Sequence, residues 1–119
     1  MLWIPGKLVT LNAERKGNRW GRATATAEWR QTAAWLAKAQ KLPKLDRVTV
    51  TANPQQSRGV LADAGNHLPS VKAAVDGLVD VGVLPDDNPK HVTALILIAP
   101  RRGTDGLHLI LTVDRTSND

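Results

Sequence analysis

Between Pro69 and Gly82 the chain reads PSVKAAVDGLVDVG, and this stretch limits the possible folds more than any other. Proline is favoured in a first helical turn and glycine just past a last one, so the two bracket a helix over about residues 69–81. At 100° per residue Val71, Ala74, Val75, Leu78 and Val79 share one arc, which must be buried against another element. Lys72, Asp76 and Asp80 stand at i, i+4 and i+8 on the neighbouring arc and drift about 40° per step. Lys72 and Asp76 are within reach of each other, and Asp80, rotated furthest from the core, is expected to be solvated. The helix is also flanked by acid. Asp63 precedes it and Asp86-Asp87 follow, so residues 63–87 hold five of the chain's eleven acidic residues.

The remaining elements follow from period and punctuation. LWIPGKLVT (2–10) reads as a short strand broken at Pro5-Gly6, and NAERKGNRWGR (12–22) as a polar loop in which Trp20 sits between Arg19 and Arg22. A first helix is expected from about Thr24, with Thr24 or Thr26 as N-cap and Glu28 in the first turn, to Lys41 before Pro43. It would carry Arg30, Lys38 and Lys41 as a basic stripe. DRVTVTA (46–52) alternates as a strand should. HVTALILIA (91–99) and LHLILTV (107–113) read as two strands of one hairpin across the PRRGTDG turn, with a polar tail from about 114. The order β, α, β, α, β, β predicts a single α+β domain over 1–119, with two helices on one face of a mixed sheet.

Composition narrows the function classes. The chain has 119 residues, enough for one modest core. No apolar run approaches the ~20 residues of a membrane span, and the opening MLWIPGKLV is too short for a secretory core, so a cytoplasmic protein is expected. Without cysteine there is no disulfide, thiolate nucleophile or cysteine zinc site. Charge is unevenly spread: residues 1–60 carry eleven Lys/Arg against three Asp/Glu, and residues 61–119 five against eight. A basic half suits a polyanion, because each neutralised phosphate releases counterions. Arg15, Lys16, Arg19, Arg22 and Arg58 are the candidate DNA-backbone residues, and interleaved Trp20 could stack on bases.

Carboxylates from a loop, a helix and a turn are the raw material of a hard-metal site, since Mg²⁺ takes oxygen ligands. Asp63, Asp87 and Asp76 could hold such an ion, with Lys72 as a point charge at a scissile phosphate. The two flanks of a 13-residue helix lie roughly 20 Å apart, so this requires the loops to fold back alongside it. The competing reading is that Asp86-Asp87 serve only the Pro-Asp-Asp-Asn-Pro turn and Asp63 caps another. His67, His91 and His108 have no metal-ligand spacing, and no Ser-His-Asp signature or phosphate-binding glycine loop is present.

Asp63-Ala-Gly-Asn66, then Lys72, Asp76-Gly-Leu, Gly82 and Asp86-Asp87, resembles the signature of the RusA-type Holliday-junction resolvases. Leu2-Trp3-Ile4-Pro5 and Asn12 are similar to the opening strand and loop of that family. The resemblance implies a RusA-like fold and a small homodimeric, Mg²⁺-dependent (or Mn²⁺-dependent) endonuclease that nicks four-way DNA junctions in phage or prophage recombination and repair. It implies Asp63, Asp86 and Asp87 as metal ligands with Asp76 in support, Lys72 at the phosphate and Asn66 as an orienting group. The chain departs from the family at Gly65, where the second Asp of Asp-x-Asp-Asn is expected, and in three extra residues between Asn66 and Lys72. The arginine run before the first Asp is thinned to Arg58. A branched-DNA-binding protein that no longer cuts is therefore the alternative, and an interaction domain without nucleic acid the third.

Overall fold

The computed structural model describes residues 1–11 and 19–114, with the backbone alone for 19–22. Its elements run β1 (Leu2–Pro5), α1 (Arg19–Ala39), β2 (Val48–Gln56), α2 (Leu68–Asp80), β3 (Val92–Leu97), β4 (Arg101–Arg102) and β5 (Gly106–Val113). The α+β class and the mixed sheet are as the sequence predicts. No helix among the described residues is long and apolar enough to cross a membrane.

The sheet order is β1-β5-β2-β3, with β4 also on β2. β2 pairs antiparallel with β5 along one edge, Val50 opposite Leu111 and Ala52 opposite Leu109. Along its other edge it pairs parallel with β3 and then with β4. The expected β3–β5 hairpin does not form, because β2 lies between the two strands. β2 buries Val48, Val50, Ala52 and Pro54 in strict alternation, and a strand so apolar on one face gains most at the sheet centre. A parallel β2–β3 pair then needs a crossover, which α2 supplies.

One core forms between one face of this sheet and both helices. Leu2, Ile4, Val48, Val50, Ala52, Leu107 and Leu109 meet Trp29, Ala33 and Ala37 of α1 and Val71, Ala74, Val75 and Leu78 of α2. Each buried Val, Leu or Ile stabilises by roughly 1.5–3 kcal/mol. The wheel reading of α2 holds for those four residues, while Val79 is only partly buried. Gly82 ends α2 with φ +78, and the Val83 N–H reaches back to the Leu78 carbonyl at 3.0 Å. This is the left-handed glycine stop expected of that position.

Several boundaries move. β1 is four residues long, not nine, and β2 runs on to Gln56. α1 begins at Arg19, so Thr24, Thr26 and Glu28 are interior rather than capping. Trp29 secures this longer helix, its indole Nε1 donating to the Lys7 carbonyl at 3.0 Å. At the other end Lys41 takes φ 54, and the Leu42 N–H returns to the Ala37 carbonyl at 3.0 Å. A lysine thus occupies the left-handed stop that glycine usually fills.

Candidate functional site

α1 and α2 both begin at the end of the sheet where β2 finishes, and the candidate residues divide between that end and the opposite one. Asp63-Ala64-Gly65-Asn66 is a tight turn, with the Asn66 N–H donating to the Asp63 carbonyl at 3.1 Å. Gly65 has φ +89 at its third position, the backbone that a type II turn requires there. The residue that departs from the family pattern is therefore set by local geometry. An aspartate at 65 would be held in a left-handed conformation that costs most L-residues about 1–2 kcal/mol and Asp less than most. Asn66 also accepts the Leu11 N–H on its carbonyl at 2.9 Å, fixing the turn to the segment after β1.

Gln56, the last residue of β2, holds the loop before this turn. Its Oε1 accepts the Ala62 N–H at 2.9 Å and its Nε2 donates to the Val60 carbonyl at 3.2 Å. His67 Nε2 lies 3.2 Å from the same Oε1. The backbone N–H of Ala62 can only donate, so its partner atom is the amide oxygen and His67 Nε2 must carry a proton. In the neutral ring Nδ1 is then the lone-pair atom, buried without a partner in hydrogen-bond geometry among the described residues. Burial pushes the imidazole below its ordinary value of 6.5, with the Val9 backbone opposing.

That shift makes a pH prediction. The unfolded chain protonates this histidine near its ordinary value of 6.5, whereas the folded chain resists until lower pH. More protons bound by the unfolded state mean that stability is complete above that value and falls as pH drops below it. Thermal melts between pH 7 and 5 should show this loss, and His67→Gln should remove its share of the slope.

A cleft of about 380 Å³ opens beside His67, lined also by Lys7, Thr10, Gln56, Arg58 and Asp105. It shares Thr10, Gln56 and His67 with a wider, shallower groove that runs along Asp63 and Asn66. The Asp105 carboxylate accepts the Ser57 N–H at 2.8 Å and its hydroxyl at 2.9 Å, bracing the turn that presents Arg58. Those bonds, the N–H first, hold its acid below the ordinary range against burial, and the nearby Arg58 and Lys7 charges add to the effect. Neither cation has an ion-pair partner among the described residues. Lys7, Gln56, His67 and Asp105 come from four separate segments, so no spacing in the sequence pointed to them.

Asp86 and Asp87 lie at the opposite end. The Asp86 carboxylate accepts the Asp87 N–H at 2.7 Å and the Asn88 amide at 3.1 Å, which holds its pKa down, the Asp87 N–H first. Three residues on, the His91 carbonyl accepts the Val48 N–H at the start of β2. The loops do not fold back. The 13 residues of α2 separate Asp63 from Asp86-Asp87 by roughly 20 Å. Among the described residues no three of His, Cys, Asp and Glu form a group able to hold a metal. As a shared Mg²⁺ site, the residues of one chain do not fit.

The α2 surface also differs from expectation. Asp80 is not merely solvated: Arg30 of α1 binds it with Nε at 2.6 Å and a second nitrogen at 2.8 Å. The hydrogen bonds from Arg30 hold the Asp80 carboxyl below its ordinary range. This removes Arg30 from the free basic stripe. Lys72 is exposed and Asp76 half-buried, with no ion pair between them among the described residues. Arg58 lines the cleft, whereas Arg15 and Lys16, with the side chains of Arg19, Trp20 and Arg22, lie outside the described residues. In the comparisons with known proteins, no family model matches the chain and no curated protein matches it.

Proposed function

We propose that this protein is a RusA-like endonuclease of branched DNA, working as a homodimer with Mg²⁺ or Mn²⁺ and nicking four-way junctions during recombination or repair. The observation that carries the reading is the groove at the end of β2. There the cations Lys7 and Arg58, without an ion-pair partner among the described residues, stand beside the Asp63–Asn66 turn, so groups suited to a phosphate backbone and a candidate carboxylate share one surface. The run of Lys72, Asp76-Gly-Leu and Asp86-Asp87 gives the resemblance its specific part. Lys7 and Arg58 would neutralise backbone phosphates and orient the strand along the groove. A homodimer would carry Asp63 and the Asp86-Asp87 pair twice each.

A second reading, binding without cleavage, is favoured by the distance between Asp63 and Asp86-Asp87 and by Gly65. The test is nicking of a synthetic four-way junction and a matched linear duplex in Mg²⁺, Mn²⁺ or EDTA. Metal-dependent nicks confined to the junction are expected, with at least a ~100-fold loss in Asp63→Asn and in Asp87→Asn, the scale of losing a group that acts in the transition state. Tight junction binding with no cleavage in either metal would establish the second reading instead. Absence of binding to any DNA at low salt would sink both.

A further inference from the structure

The outer face of α1 carries a feature that the groove does not use. Trp35 is 69% exposed, the only tryptophan among the described residues on that scale. It lies about 160° around the helix from buried Ala33, so it faces away from the core. Exposed Gln31 precedes it by one turn and exposed Lys38 follows by one turn, within about 60° on the same face. Residues 29–45 contain Arg30, Lys38, Lys41 and Lys44 and no acid. Arg30 is taken by Asp80, whereas Lys38, Lys41 and Lys44 have no ion-pair partner among the described residues. The left-handed stop at Lys41 fixes the backbone just past the helix end.

We infer that this face is a second DNA contact, in which Trp35 stacks on a base left unstacked at the branch point while Lys38 and Lys41 hold its flanking phosphates. A large exposed indole offers a flat apolar surface, and any base has a π-face to match it without sequence preference. A paired duplex interior hides those faces, but a junction exposes them where its arms part. The charge argues against a second copy of the chain on this face. A two-fold pairing along the stripe would set lysines against lysines, whereas a polyanion neutralises them. The inference rests on the branched-DNA reading but uses a different surface from the groove.

The test is binding of wild type, Trp35→Ala, Trp35→Phe and Lys38→Ala/Lys41→Ala to a four-way junction and a linear duplex, at several salt concentrations. Trp35→Ala should weaken junction binding about tenfold and duplex binding little, with Trp35→Phe recovering most of the loss. Lys38→Ala/Lys41→Ala should flatten the plot of log affinity against log salt by about two phosphate contacts. Unchanged junction binding by Trp35→Ala, beside a wild type that binds, overturns this inference and leaves the groove reading standing. A wild type that binds no DNA overturns both. Light-scattering masses decide the remaining case: a wild-type dimer that becomes monomeric in Trp35→Ala assigns the face to a second copy and overturns the inference.

Discussion

Gly77→Ala should destabilise the protein by about 3 kcal/mol or more, a large fraction of the stability of a domain this size. At this point α2 lies directly on the α1 backbone, with only the Ala33 methyl beside it. A Cβ at position 77 would be driven into the Arg30 carbonyl oxygen, and would also meet the Ala34 nitrogen at 3.0 Å and the Ala33 Cβ at 3.1 Å. Two of these three neighbours are helical backbone, which cannot swing aside as a flexible side chain can. The helices must separate instead, and that loosens Leu78, Val75 and Val71 from Ala33, Ala37 and Trp29 throughout the core. Separation would also stretch the paired bonds between Arg30 and Asp80. In urea denaturation the midpoint should fall far below that of wild type, with the slope unchanged if cooperativity survives. A midpoint within 0.3 M of wild type would mean that the crossing is not held this closely. Alanine has the higher intrinsic helix propensity, so the sign of the result separates tertiary packing from local preference.

That contrast also explains how far the sequence could be read. α2 was legible because its period, Pro69 and Gly82 all lie within one turn of the residues they govern. Strand existence was legible for the same reason, but strand partnership was not. Alternation in LHLILTV and in HVTALILIA shows which residues share a face, not which neighbour supplies the hydrogen bonds. The short turn between them suggested a hairpin. The deeply buried row Val48, Val50 and Ala52 instead takes the centre, with one strand on each side. The Asp80 reading failed in a similar way. A helical wheel sees neighbours within its own helix, and the partner of Asp80 lies fifty residues earlier on α1. Of the candidate residues, Asp63, Asn66 and Arg58 fall together because one loop carries them. Gln56 and His67 close that loop at its two ends, while Lys7 and Asp105 join it only through sheet pairing, where Pro5 meets Gly106 and Gln55 meets the same glycine.

Lys7→Glu/Arg58→Glu should weaken binding to branched DNA about 100-fold or more at low salt. Each cation that neutralises a phosphate releases condensed counterions, so removing two should cut the salt slope by about 1.8. Reversal goes further than deletion, because the new carboxylates repel the backbone and sit beside Asp105, already an anion at the same cleft. Folding should be untouched. Both side chains are exposed and make no ion pair among the described residues, and the bond from Trp29 to residue 7 uses the backbone carbonyl, which survives any substitution there. Lys90→Glu alone, at a position away from both the cleft lining and the outer face of α1, makes the same change in net charge as Lys7→Glu alone and serves as its control. If these two single variants lose affinity equally, binding follows net charge and the groove has no special place in it. If the Lys7 variant alone loses affinity, with a reduced slope, the DNA backbone runs past the end of β2. The strand then passes the Asp63 turn, the position from which a carboxylate of this chain could reach a phosphate.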